Sequence, residues 1–212
     1  MGGTFPTALA TATGKPRRTQ AERSATTRAL LLDATISSLV DVGYANTTTT
    51  GIAERAGVSR GAQMHHFPTK ADLVASAVEH LADKRMALAR AQLEKLPADR
   101  DRVRSALDLL WGTHNGPLFT ATLELWIVAR TDDELREKLQ PVEHRVLSSL
   151  FALARELFGE EIASRRGFER ALDASVAAMQ GLALAETHQI RRPRVDHIWR
   201  GCRDELARLF ED

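Results

Sequence analysis

The stretch TTTTGIAERAGVSRGAQMHHFPTKADL, residues 47–73, decides the fold. Thr48 is placed to N-cap a short helix over about 49–56, its hydroxyl accepting an otherwise unpaired backbone N–H. Ile52, Ala53 and Ala56 give that helix a small apolar face. Gly57 and Val58 break it. Ser59 caps a second short helix that runs to about His66, and Phe67-Pro68 ends it, because proline disfavours helical geometry in the residue before it. Thr69 then caps a longer helix that starts near Lys70 and continues to about residue 93. Two short helices with a tight glycine-containing turn describe a helix-turn-helix. Small Ala53 lets the helices approach, Gly57 gives the turn its backbone freedom, and Val58 plugs the space between them. Ser59 directs the positive end of a helix toward phosphate. Arg60 stands in the first turn, where a side chain can reach base edges or the sugar–phosphate backbone. Gly51 costs its helix roughly 1 kcal/mol relative to Ala, so packing must supply that helix's stability.

Upstream, residues 21–42 carry a helical stripe of Leu31, Thr35, Ser38, Leu39 and Val42, and Gly43 is the stop signal. Residues 1–19 are rich in Thr, Ala, Gly and Pro and end in a small basic group, Lys15, Arg17 and Arg18; they read as a disordered arm. The arm is either a solvated tail or a supplier of phosphate or minor-groove contacts, with Arg18 the candidate residue. Downstream, helical patterns cover about 100–113, 118–130, 132–158, 164–188 and 195–210, and no period-two run suggests a strand. The expected fold is all-α, with about nine helices. Its organisation is a basic arm (1–19), a three-helix head (20–69) and a larger helical domain (70–212).

The composition bounds the function. The chain has 212 residues and a net charge of +1, with 43% apolar and 27% charged residues, as in ordinary globular proteins. Charge is uneven: residues 1–75 hold eight Lys and Arg against five Asp and Glu, and the remainder 21 against 23. The small basic excess at the head fits an anionic partner, or is chance. A single cysteine, Cys202, excludes an intramolecular disulfide framework and any multi-cysteine metal site, and fits a reducing cytoplasm. No apolar run is long enough to span a bilayer, and the N-terminus lacks a signal-peptide pattern, so a cytoplasmic location without membrane partners is expected. His65 and His66 are adjacent on a helix and point about 100° apart. Zinc requires three or four convergent ligands, so neither a metal nor any other cofactor is expected.

The residues Gly43-Tyr44, Thr48, Ile52-Ala53, Ala56-Gly57-Val58-Ser59, Gly61, His66-Phe67-Pro68, Lys70 and Leu73 occur in the order and spacing of the tetracycline-repressor (TetR) family, which this chain resembles. The resemblance covers about the first third of the sequence. One departure lies within the reading helix: Gln63-Met64 stands where members often carry Leu-Tyr, whose Tyr commonly touches a phosphate. The resemblance implies a ligand-responsive, homodimeric transcriptional repressor that binds a palindromic operator in double-stranded DNA. Thr48 and Lys70 would contact phosphate. Arg60, Gly61, Gln63 and His65 would lie at or near the major groove, with Ser59 a DNA-binding residue through its cap. His66 and Phe67 would be partly structural.

Beyond Leu73 the sequence is less diagnostic. The resemblance implies a dimer interface from the last two long helices, about 164–188 and 195–210, where the small and apolar stretch Ala171-Leu172, Ala174-Ser175, Ala177-Ala178-Met179 and Gly181-Leu182 permits close helix contact; an intramolecular core helix is the alternative. It also implies an effector cavity, for which Trp111, His114, Phe119, Leu123, Trp126 and Met179 are candidates, although aromatics at helical spacing also fill cores. Two other function classes stand as alternatives. An all-α enzyme would need a nucleophile–base–orienter set or a metal, and no pattern for either is present. A ligand-binding or architectural protein whose helix-turn-helix has lost DNA specificity is the other.

Overall fold

The computed structural model describes residues 19–96, 101–187 and 192–210. Arg18 and the rest of the expected arm lie outside the described residues, as does the 188 end of one expected interface helix. Among the described residues there are ten α-helices and no strand: α1 (Gln20–Asn46), α2 (Thr49–Ala56), α3 (Arg60–His66), α4 (Lys70–Arg90), α5 (Asp101–Thr113), α6 (Pro117–Ala129), α7 (Asp133–Phe158), α8 (Glu160–Ala163), α9 (Phe168–Thr187) and α10 (Arg192–Arg208).

Most of these helices begin or end where the sequence places a signal. Thr19 caps α1 through a reciprocal pair, its hydroxyl accepting from Glu22 N (3.1 Å) while its own N–H donates to the Glu22 carboxylate (2.7 Å). Thr69 and Asp72 repeat the arrangement at α4. Gly43 has φ +73° and breaks the helical geometry of α1; one further turn, 44–46, follows it. Three expectations are corrected. The helix after Thr69 ends at Arg90, and Leu93 belongs to a separate 3₁₀ turn, Leu93–Lys95. Residues 160–163 form their own short helix after Gly159, so α9 starts at Phe168 rather than Ser164. Val42 is also 44% exposed rather than part of the buried stripe, which ends at Leu39.

Three apolar clusters organise the chain. The first joins Leu31, Leu32, Ile52, Phe67, Leu73 and Ala77, from α1, α2, the end of α3 and α4. Leu31, Ile52 and Leu73 have no solvent exposure, and burying each such side chain is worth about 1.5–3 kcal/mol. The second cluster packs Leu39, Val74 and Ala75 against Leu125 of α6 and Leu135, Leu139 and Val142 of α7. The third fills the C-terminal part, from Met86 and Ala89 through Leu107, Leu153, Leu172 and Trp199 to Phe210. α4 contributes to all three. It is the spine on which the head and the larger helical region are both mounted.

Candidate functional site

The geometry of α2 and α3 follows from four residues. Thr48 accepts a hydrogen bond from Gly51 N (3.1 Å), and Ser59 accepts one from Ala62 N (3.2 Å). Each hydroxyl serves as an acceptor in its cap and keeps its own hydrogen to donate; both residues are exposed. A Cβ on Gly51 would stand 3.1 Å from the Thr48 hydroxyl oxygen, so the helix-weakening glycine makes room for the cap. Gly57 adopts the left-handed conformation (φ +66°, ψ 31°) and turns the chain from α2 into α3, with Val58 N donating to Ala53 O at 3.0 Å.

On α3, Arg60, Gly61, Met64 and His65 face solvent together. A Cβ on Gly61 would meet nothing closer than Ser59 Oγ at 4.0 Å. The protein therefore does not need glycine there for its own packing, and its absence of side chain leaves a low surface. Arg60 has no carboxylate partner among the described residues. Arg55, by contrast, is spent on Asp41. His66 is half-buried, and burial, then its neighbours His65 and Arg28, hold its pKa below the usual histidine value. Arg28 lies over the Phe67 ring, 4.7 Å from its centroid. Among the described residues no group of His, Cys, Asp or Glu could hold a metal ion.

Two sequence-based assignments change. Gln63 is 1% exposed, and its Nε2 donates to Phe67 O at 2.7 Å. Its amide closes the end of α3 and points inward, so it is not a groove residue; the exposed residue of the pair is Met64, at 53%. Lys70 is half-buried. Its ammonium donates to Tyr44 O at 2.6 Å and sits 3.8 Å from the centroid of the Tyr44 ring, and burial lowers its pKa. Any phosphate contact from Lys70 would be shared with this tie to the end of α1.

The same corner ties α1 and α4 to α6 and α7. Tyr44 N donates to the Glu124 carboxylate of α6 at 2.9 Å, and a Cβ at Gly43 would stand 3.0 Å from that oxygen. The Tyr44 hydroxyl donates to Asp132 at 3.4 Å. Lys138 and Arg145 of α7 pair with Asp72 and Glu79 of α4 at 2.7 and 2.6 Å.

A cavity of about 220 Å³ opens between α4, α5, α6, α7 and α9. Its walls are mostly apolar and include Met86, Phe119, Trp126, Val146 and Leu150. His114, Phe119 and Trp126 are brought together as the sequence suggested: the His114 and Phe119 rings lie 5.2 Å apart, and Phe119 meets Trp126 edge-to-face at 6.1 Å. Trp111, Leu123 and Met179 are not among the cavity's lining residues. Trp111 stacks on Trp199 at 5.0 Å, an indole whose Nε1 donates to Asp108, and Met179 is wholly buried in the same core; Leu123 packs against that core. Arg85, Thr122 and Gln180, which the sequence did not single out, do line the cavity.

The tetR family of bacterial regulatory proteins matches residues 31–77. Beyond that segment, the chain is 36% identical over 144 residues to the HTH-type transcriptional regulator Mb2936c of Mycobacterium bovis, a match spanning 68% of this chain and 74% of that one. The chain belongs to the TetR family of helix-turn-helix transcriptional regulators. Solved TetR-like structures share the fold well beyond the head. A TetR transcription regulator from Haloarcula marismortui superposes with a TM-score of 0.65 at 20% identity, over 86% of this chain and 97% of that one. The multidrug binding protein EbrR in complex with ethidium gives 0.62 at 22% identity, over 86% and 97%. In this TetR-family chain the helix-turn-helix is the DNA-binding element. No described helix is long and apolar enough to cross a membrane.

Proposed function

We propose that the protein is a ligand-responsive repressor that binds a palindromic operator as a homodimer. The observation that carries this reading is the joint exposure of Arg60, Gly61, Met64 and His65 on α3, flanked by the Thr48 and Ser59 hydroxyls. Arg60 is the base-reading cation, since a guanidinium can grip the O6 and N7 edge of guanine with two hydrogen bonds. Gly61 admits the DNA backbone. Met64 offers an apolar tip to a thymine methyl, and Thr48 and Ser59 donate to phosphate. Lys70 mainly fixes the corner between α1 and α4.

The dimer forms through α9 and α10. Ala171, Leu172, Ser175 and Met179 of α9 are used inside the protomer, whereas Ala174, Ala177 and Gly181 are exposed at i, i+3 and i+7 along one face. Ile198 of α10 is 39% exposed as well. Small residues on one stripe suit close helix pairing across a two-fold axis. The two reading helices then address half-sites about one DNA turn apart, ~34–36 Å.

Effector control runs along α4. Lys70 at its start and Arg85 in the cavity wall are separated by fifteen residues, about 22 Å of helix. A ligand that shifts α4 changes the spacing of the two heads, and DNA and ligand then oppose each other reciprocally. EbrR, solved with ethidium, is an example of a small organic molecule held by a protein of this fold.

The test is selection of binding sites from random duplex DNA, followed by salt titration on the enriched sequence. The expected result is an inverted repeat bound by a dimer, with affinity falling steeply with salt. A folded dimer that enriches no sequence would overturn the operator reading.

A further inference from the structure

We propose that the cavity is built for an organic anion, an apolar acid whose carboxylate is taken by Arg85; this rests on the ligand-responsive reading above and adds the chemical class of the effector. Arg85 is half-buried on α4 and lines the cavity. Its guanidinium donates to two backbone carbonyls, Thr113 O at 2.7 Å and Asn115 O at 3.3 Å. Thr113 is the last residue of α5, so one of these carbonyls is a helix-terminal group without a helical partner. Both partners are neutral. Among the described residues no carboxylate lies within ion-pair distance of Arg85, although most of the arginines on α7 and α10 have one. Burial pulls the Arg85 pKa down with no opposing charge.

An arginine has five N–H donors in a planar fork. Two bonds to carbonyls leave donors for a ligand, and a carboxylate fits the fork geometry. The other lining groups support a single anionic end on an apolar body. His114 is 5% exposed. Its Nδ1 lies 3.0 Å from Leu110 O, a carbonyl that can only accept, so Nδ1 carries the hydrogen. Burial holds its pKa below the usual histidine value. That leaves Arg85 as the positive charge in the wall. Glu143, the acidic lining residue, belongs to an exposed position of α7. Apart from Thr113, Thr122 and Gln180, which are polar but uncharged, the rest of the wall is aliphatic or aromatic. An engineered apolar cavity of about 150 Å³ takes up benzene, so about 220 Å³ accommodates one ring with a short acidic chain.

The position of Arg85 gives the ligand a mechanism. The residue belongs to α4, and its two carbonyl partners belong to the α5–α6 junction. A carboxylate competing for the guanidinium would alter how α4 is held against that junction.

The experiment compares three probes with one skeleton: phenylbutyrate, phenylbutanol and phenylbutylamine, titrated into the full-length protein by calorimetry at neutral pH. The acid should bind about tenfold tighter than the alcohol or the amine, as a charge-assisted pair requires. Arg85→Gln should reduce the acid to the alcohol's affinity and leave the alcohol within about twofold, and Arg85→Lys should keep part of the preference. Near-ultraviolet circular dichroism checks that both variants are folded; if either is not, the wild-type ranking of the three probes still decides. Tightest binding of the amine would overturn the proposal in favour of a cation site at Glu143. Equal binding of acid and alcohol would overturn it in favour of a purely apolar cavity. Either of those results leaves ligand control intact. Binding of none of the three would remove the anion site and the support for effector control together.

Discussion

The head and the helical region around the cavity are ordered by polar residues used at different ranges. In the head, Thr19, Thr48, Ser59 and Thr69 each satisfy a backbone N–H three residues on. Around the cavity, Asp132 caps α7 in the same way, but Gly116 and Gly159 start α6 and α8 with no side-chain cap. There, arginines bind the ends of distant helices: Arg85 to Thr113 O, Arg102 to Leu157 O, Arg165 to Phe210 O, with Arg203 pairing to Asp108. Short-range caps fix a small rigid unit that can be read from neighbouring letters. Long-range ties join elements dozens of residues apart.

The sharpest way to break this comparison is at Arg60. Arg60→Ala should weaken binding to the selected operator by about tenfold to a hundredfold, the 1–3 kcal/mol of a bidentate base contact, and relax the preference at one base position. The thermal midpoint should not move, because the side chain is exposed and unpaired. A loss shared equally by all sequences would demote Arg60 to a phosphate contact. Gln63 is the opposite case. Gln63→Ala should cost about 1–3 kcal/mol of stability in denaturant titration, since it strips a buried hydrogen bond from Phe67 O, while the selected sequence stays the same. A changed base preference in a fully stable variant would return Gln63 to the groove.

Glu124 tests the seam between the two regions. Glu124→Gln weakens the charged bond to Tyr44 N while leaving the head's own core in place. Release of DNA by effector should be blunted, a change in coupling of about 0.5–2 kcal/mol, with operator affinity in the absence of effector little altered. Undiminished release would show that the signal passes through α4 alone. The smallest effect is with pH. Burial lowers the folded-state pKa of His114 below 6.5, so the unfolded chain takes up the proton first. Stability is full above about pH 6.5 and falls as the pH drops below it. His66 shifts in the same direction. The lowered carboxylates Asp33, Asp72, Glu156 and Asp204 act only at lower pH, near and below their ordinary range. The melting temperature should therefore decline between about pH 6.5 and 5, less so in His114→Gln. An unchanged decline in that variant would assign the effect to His66.

Legibility in the sequence follows the same division. The all-α class, the short helices and their starts could be read because Thr48, Ser59, Gly57 and Pro68 each act on residues a few positions away. The orientation of Gln63 could not: α3 has seven residues, too few for an apolar period to declare its inner face. The cavity was half-legible. Phe119 and Trp126 lie seven apart on α6 and share a face, but Trp111 has the same character in sequence and is claimed by Trp199, 88 positions later. Arg85 was invisible for a similar reason. In a run of charged residues on α4 it resembles any solvated cation, and only the fold shows that its partners are the carbonyls at the end of α5.

The chain has three tryptophans, and the fold gives them separate optical duties. Trp111 and Trp199 lie nearly parallel, at 18°, with their centroids 5.0 Å apart, close enough for their transitions to couple. That pair should give a near-ultraviolet dichroic signature that reports whether the C-terminal core is intact. Trp126 stands apart in the cavity wall. Its emission should shift in colour and intensity when the cavity fills, so occupancy and core integrity can be followed in one unlabelled sample.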